Sequence, residues 1–344
     1  MAEGDGVIKS EIINLLNRTV SFSTDFIIDN AYLKPGDAVL VGGSLIEDIG
    51  NVNSDVDVYV ITDRLLQASE IDPTRHFRVF ARDRSILSSV DTDAEVFLVH
   101  TVIPGTRVKI DIEYRTCDEI SRISDFISNT FDEARASLIS LTKFVNTRDL
   151  AFVHRVYNSK ILRTNSTLTN LRNHVGITMF KYLMYRWKAS DYSVLLDMQG
   201  AWDDRDWIRC ADMARENMVT QFHAYTHLCG NTNYNRKWII TYARRLGVDK
   251  SLYDQYIALL TSAAGTSEPE LRSYILDTVD FVDDIFRACS EIIAEEPDYP
   301  SGPDALSAID TYFSSEAGDY SENEVAYCKK AYGVQAAATR DWFR

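Results

Sequence analysis

Asp55 and Asp57 stand one residue apart in the run Ser54-Asp55-Val56-Asp57-Val58-Tyr59-Val60. Strand side chains alternate, so both carboxylates face one way while Val56, Val58 and Val60 face a core. Side-by-side carboxylates repel, and solvent or a cation must compensate them. Adjacent carboxylate oxygens suit Mg²⁺, which keeps waters and phosphate oxygens in its remaining positions. A second run, Val108-Lys109-Ile110-Asp111-Ile112-Glu113-Tyr114, puts Val108, Ile110, Ile112 and Tyr114 on one face and Lys109, Asp111 and Glu113 on the other. If the two strands are neighbours, Asp111 joins the first two acids, and three converging carboxylates suit a two-metal site for in-line phosphoryl chemistry. Gly42-Gly43-Ser44 precedes them. Glycines let backbone approach a ligand, and N–H groups at a helix start seat a phosphate. Each motif also has a plain reading, a common loop or a solvated strand edge.

Other residues carry weaker signals. His223 and His227 are four apart on an expected helix. Ala224 follows His223, so the Glu of a His-Glu-x-x-His protease motif is missing, and a metal role is not expected. The tyrosines and tryptophans of 182–187 and 202–207 fit core packing at helical spacing or an aromatic wall for an acceptor. No P-loop, Rossmann fingerprint or Ser-His-Asp order is present.

The elements that would position these groups follow from periodicity. Apolar residues at helical spacing predict one or two helices over 7–32. Pro35-Gly36-Asp37 is a turn signal, and Ala38 to Val41 is a short apolar run suited to a buried strand. Further strands are expected at Asp55 to Ile61, Phe77 to Ala81, Glu95 to Val102 and Arg107 to Tyr114, the last two joined at Pro104-Gly105. Helices are expected over 118–135, 136–146, 148–161, 168–188, 205–229, 235–246, 251–263 and 268–294. The strands thus fall in the first third, which gives an α+β chain: a head with a short mixed sheet, then an all-helical domain. The expected boundaries are 1–117 for the head, 118–294 for the helical domain that completes the cleft, and 295–344 for an acidic linker and terminal helix. Residues 291–325 hold ten acids, no Lys or Arg, and three prolines, and read as the flexible segment. Tyr327, Tyr332, Trp342 and Phe343 are expected to dock back on the body in a last helix.

Bulk properties narrow the partners. The 344-residue chain carries 51 acids against 36 bases, a formal charge of −15. Such a surface does not attract a phosphate backbone, so extended nucleic acid is not expected. Five cysteines, none in C-x-x-C spacing, suggest neither a disulfide framework nor a thiolate zinc site, and fit a reducing cytoplasm. No signal peptide and no bilayer-spanning apolar stretch is expected.

Taken together, the strand ending in Gly-Ser, the h-Asp-h-Asp-h run eleven residues after Ser44, and the third Asp on a distant strand resemble the polymerase-β-like nucleotidyltransferase superfamily. The string from Gly43 to Asp57 looks like the version in stand-alone bacterial enzymes that modify small molecules, antibiotics or natural products. The resemblance implies that Gly42, Gly43 and Ser44 hold the triphosphate. It implies that Asp55 and Asp57 bind Mg²⁺, and that Asp111 completes a two-metal site and acts as base. Asp48 departs from the family, where a Gly is often found. Gly230-Asn231 to Lys237-Trp238 resembles a Gly-x-x-Asn-x-x-x-Lys-Trp segment of related enzymes. There Lys237, with Thr241 and Arg244 on the same helical face, would reach the triphosphate. Phe152-Val153-His154-Arg155 resembles another helical segment, with His154 read as packed or surface rather than lining the acceptor site. The implied activity is Mg²⁺-dependent transfer of a nucleoside monophosphate from an NTP, ATP by default, to a small-molecule hydroxyl. The competing readings are a protein AMP-transferase, a nucleotide-signal synthase and a non-catalytic nucleotide-binding module.

Overall fold

The computed structural model describes residues 8–82, 93–139, 141–189, 192–262, 264–315, 322–332 and 338–344. The chain is α+β, with a sheet-bearing N-terminal region and a helical C-terminal region. It divides into two compact units, Met1–Phe126 with Thr147–Gly176, and Ile127–Asn146 with Ile177–Arg344.

The first unit opens on strands rather than the helices expected over 7–32. β1 (Ile12–Leu15) and β2 (Val20–Ser23) form an antiparallel hairpin. Its turn runs through Leu16, Asn17 and Arg18, all at positive φ. Ile13 and Leu15 are buried while Ile12 and Asn14 are exposed, a period-2 pattern too short to stand out among helically spaced neighbours. Only α1 (Thr24–Asn30) is helical, capped by Ser23.

The main sheet holds β3 (Ala38–Gly42), β4 (Val56–Thr62), β5 (Leu66–Gln67), β6 (Arg78–Ala81), β7 (Glu95–Val102), β8 (Lys109–Thr116) and a later β9. From the β6 edge the order is β6-β7-β8-β4-β3-β9, with two-residue β5 also pairing with β7. β4 and β8 are parallel, and the other pairs are antiparallel. Val56, Val58, Val60, Ile110, Ile112 and Tyr114 share one core with Val39, Val41, Ile27 and Ala31. That apolar side, expected from the alternation, fixes the register of the acids on the other side.

After β8 come α2 (Cys117–Ala136) and α3 (Thr147–Asn158), then β9 (Lys160–Arg163). β9 corrects two expectations: the helix over 148–161 stops at Asn158, and the strands do not end in the first third. β9 pairs with β3 and covers an otherwise open edge. It also explains why residues 147–176 belong to the first unit. α4 (Ser166–His174) closes that unit and is capped by Asn165.

The second unit is helical: α5 (Ile177–Ala189), α6 (Ser193–Asp203), α7 (Trp207–Leu228), α8 (Ile239–Leu246), α9 (Lys250–Thr261), α10 (Glu268–Glu295), α11 (Gly302–Ser315) and α12 (Glu322–Lys330). α7 packs against α5, α6 and α10. The stretch expected as one helix over 168–188 is broken at Val175-Gly176 between α4 and α5. The helix expected over 136–146 is absent among its described residues. Arg186, fully buried, donates to the carbonyls of Ala134 (2.5 Å) and Ser137 (3.1 Å), which takes up backbone acceptors at the end of α2.

Residues 291–325 are not one flexible segment. α10 runs on to Glu295, and α11 forms with Ala305 and Ile309 buried four apart. Part of that segment, residues 316–321, lies outside the described residues. The C-terminus docks in two pieces rather than one helix. Lys330, in α12, bonds Asp283 (2.8 Å), and so does the Thr339 N–H (2.8 Å). Phe343 meets Trp202 edge-on at 5.5 Å. The aromatic residues of 182–187 and 202–207 also pack internally: Tyr182 stacks on Tyr299 at 4.6 Å, and Trp202 meets Trp207 at 5.0 Å. Among the described residues no helix is long and apolar enough to cross a membrane.

Candidate active site

One row of residues crosses the sheet at right angles to its strands. Gly42 pairs with Asp57, Asp57 with Asp111, Asp111 with His100, and His100 with Arg78. The two acids expected to converge therefore sit opposite one another on adjacent strands.

The turn after β3 lies against this row because two residues lack side chains. A Cβ on Gly42 would come 2.3 Å from the Ser159 hydroxyl oxygen. Gly43 has φ +101°, and a Cβ there would lie 3.0 Å from Asp57 Oδ2 and 3.1 Å from its backbone nitrogen. The chain then turns tightly. The Ile46 and Glu47 N–H groups donate to the Gly43 carbonyl (3.0 and 3.1 Å), and those of Ile49 and Gly50 to the Ser44 carbonyl (3.0 and 2.8 Å). The segment after Ser44 is thus a set of turns, not the start of a helix. Asp48 ends it at φ +56°. Glycine adopts that left-handed conformation freely, and Asp is among the residues that tolerate it.

Burial is the largest influence on both strand acids. It raises the Asp57 carboxyl to about 6, with Asp55 and Asp111 adding to the effect and Arg155 opposing it. Burial also raises Asp111, with Asp55 adding to the rise and His100 and Lys109 opposing it. Asp57 therefore lies in the field of both other acids, and Asp111 in that of Asp55, which is itself exposed.

Two further groups engage the acids. Arg155 on α3 reaches Asp57 Oδ2 through Nε (3.1 Å) and Nη2 (3.0 Å), and Glu47 through Nη1 (2.5 Å). His100 Nδ1 bonds Asp111 Oδ1. His154 is buried. Asn158 donates to its Nδ1 (3.1 Å), so its remaining proton sits on Nε2, which donates to Glu47 (3.2 Å). Glu47, with its side chain only 1% exposed, is thus compensated by Arg155 and His154. The same face of α3 continues the match. Phe152 meets Tyr59 at 5.4 Å, and Asp149 pairs with Arg115 (2.5 Å). Residues 149, 152 and 155 recur at helical spacing above a strand face of period two. Glu113 is engaged by Arg115 (2.8 Å) and Arg148 (3.0 Å) rather than by the acid pair.

The donor chemistry fits a hard divalent cation, because carboxylate oxygens are what Mg²⁺ takes. The spacing does not close on one: among the described residues no three carboxylate, imidazole or thiol groups stand close enough together to hold a metal ion.

Lys237 and Arg244 belong to the second unit. They are not on one continuous helix over 235–246. Lys237 lies in a 3₁₀ turn, Arg236–Trp238, that precedes α8. Arg244 donates to the Tyr253 hydroxyl (2.5 Å), and Lys237 lies over the Trp238 ring at 5.2 Å. His223 and His227 are buried in α7 and bond the carbonyls of Asn233 (3.2 Å) and Asn231 (2.5 Å). They pin the loop after Gly230, a structural use of that spacing. Burial, with His227 and Lys188 nearby, holds His223 well below its usual range and so neutral.

Arg155, Glu47 and His100 were not picked out by sequence reasoning. Arg155 was within reach as the residue that faces Asp57 when α3 is phased on Phe152. No local signal marks His100 or Glu47.

No family model matches this chain. No curated protein matches it either. Among solved structures, a nucleotidyltransferase-like protein from Exiguobacterium sibiricum 255-15 is similar over 84% of this chain and 85% of its own, at 14% identity and a TM-score of 0.35. A likeness at that level carries no argument about this chain.

Proposed function

We propose that this chain is a metal-dependent nucleotidyltransferase that moves a nucleoside monophosphate from an NTP to a hydroxyl of a small acceptor. The observation that carries the reading is the row Gly42, Asp57, Asp111, which sets a glycine turn beside two half-buried acids on neighbouring strands. In this reading the Gly43-Ser44 turn seats the triphosphate. A divalent cation on Asp55, Asp57 and Asp111 would neutralise phosphate charge and favour ionisation of the acceptor hydroxyl. The acceptor oxygen bonds to the α-phosphorus, the bond from that phosphorus to the pyrophosphate oxygen breaks, and the acceptor's proton passes to Asp111. Burial favours the protonated form of Asp111, which suits a group that takes up the acceptor's proton. The net charge of −15 favours a small acceptor over a polynucleotide. ATP is the default donor.

Titration of the protein with each NTP, with and without Mg²⁺, tests this. Binding should require the metal and be lost in Asp55→Ala/Asp57→Ala. Equal, metal-independent binding by both proteins would sink the assignment.

A second reading is favoured by one observation: Arg155 and His100 already sit on Asp57 and Asp111. A chain that keeps them there in the presence of nucleotide is a binding module. Stable NTP binding without pyrophosphate release across an acceptor panel would select it.

A further inference from the structure

The row of paired residues continues past the acids, and what lies there bears on the acceptor. On one side of the Asp57–Asp111 pair is β3 with its glycine turn. On the other are β7 and β6. If the phosphates occupy the β3 side, the acceptor lies over β7 and β6.

That side is aromatic and basic. Phe77 is 61% exposed and Val102 37%. Arg78 lies over the Phe77 ring at 5.0 Å, and Lys109 at 5.9 Å. Phe80 meets the His100 ring edge-on at 5.0 Å. Among the described residues neither Arg78 nor Lys109 forms an ion pair, in a chain with a large excess of acids. Arg78 pairs with His100, and His100 with Asp111. Two inter-strand steps of about 4.8 Å put Arg78 roughly 10 Å from Asp111 along the backbone, the span of a flat ring system carrying an acidic group.

We infer that Phe77, Phe80, Arg78 and Lys109 form the acceptor platform, and that the acceptor is a planar, hydroxyl-bearing anion. The ring lies on Phe77, the anionic group meets Arg78 and Lys109, and the hydroxyl points to Asp111. This rests on the nucleotidyltransferase reading for its role, but the binding chemistry can be tested without it. Two sources share the chemistry: an aromatic hydroxy acid, and a second nucleotide offering a ribose hydroxyl.

The test is a fluorescence titration of the full chain with 3-hydroxy-2-naphthoate, without metal or NTP. Displacement is then measured with 4-hydroxybenzoate, AMP and tyramine. The naphthoate should bind saturably, and Phe77→Ala and Arg78→Gln should each weaken it about 3- to 10-fold, while Phe77→Trp retains it. Tyramine, flat but cationic, should displace it at least about tenfold less well than 4-hydroxybenzoate. Stronger displacement by AMP identifies a nucleotide acceptor, and stronger displacement by 4-hydroxybenzoate an aromatic acid. Equal displacement by tyramine, or a titration unmoved by Phe77→Ala and Arg78→Gln, overturns the platform. Naphthoate binding lost with Mg²⁺–NTP binding intact refutes only this inference. The reverse result refutes only the proposed function.

Discussion

Replacing Asp57 with asparagine should stabilise the fold at neutral pH, and the gain should depend on pH in a defined way. Asp57 titrates at about 6 in the folded protein. An ordinary aspartate titrates near 3.9, so the difference corresponds to about 3 kcal/mol. The sign follows from proton counting. Below about pH 4 the carboxyl is protonated in both states and costs nothing. Between about pH 4 and 6 the unfolded chain has released the proton and the folded chain still holds it, so stability falls as pH rises. Above the folded value the loss is complete. The asparagine amide cannot ionise, so D57N should match wild type near pH 4 and exceed it by up to about 3 kcal/mol near pH 7. Urea denaturation of both proteins across that range measures the difference directly. Acids raised elsewhere, such as Asp37, affect both proteins alike and cancel in the comparison. A stability difference that stays constant with pH would refute the argument that burial and neighbouring charge govern this group. Added Mg²⁺ should also narrow the gap near neutral pH, because a cation favours the ionised carboxylate that only wild type has.

Three further outcomes are expected. Gly43→Ala should lower the melting temperature more than Gly36→Ala, since both residues have positive φ but only Gly43 has Asp57 within 3.1 Å of a new Cβ; the excess should be about 1–3 kcal/mol by calorimetry. Arg186→Met should destabilise the helical unit by about 3 kcal/mol or more in thermal unfolding, because the carbonyls of Ala134 and Ser137 lose a buried donor. Burial and nearby Arg236 lower Lys188 to about 8, so its neutral form is favoured in the fold and stability should rise with pH above about 8; denaturation of Lys188→Met should lack that rise.

Some elements could be read from the sequence because their signals are local. Alternation over Val56 to Val60 and Ile110 to Tyr114 predicts a buried and a polar face; β8 has both, whereas β4 is buried on both sides except at Asp57. Pro104-Gly105 marks the β7–β8 hairpin, and Gly105 has φ +74°. Other features depend on distant partners. β9 is four residues long and strand-like only because β3 offers an edge. Arg155 meets Asp57 across 98 positions. The end of α2 is set by Arg186, about fifty positions on. The pairing of Asp57 with Asp111 lies between these cases. Their common face was legible in each strand, but their adjacency was conditional on the strand order.

The parallel pairing of β4 with β8 also has a kinetic consequence. β3–β4 and β7–β8 are antiparallel neighbours in sequence, while Asp57 and Asp111 are 54 positions apart. Closing that long loop carries the larger entropy cost, so the two local pairs form more readily than the junction between them. The two acids therefore come together in a less local step than either hairpin, and there Asp111 hinders ionisation of Asp57. The charges that would make the site useful also act as a brake on its assembly, and raising pH should slow refolding of wild type more than of D57N.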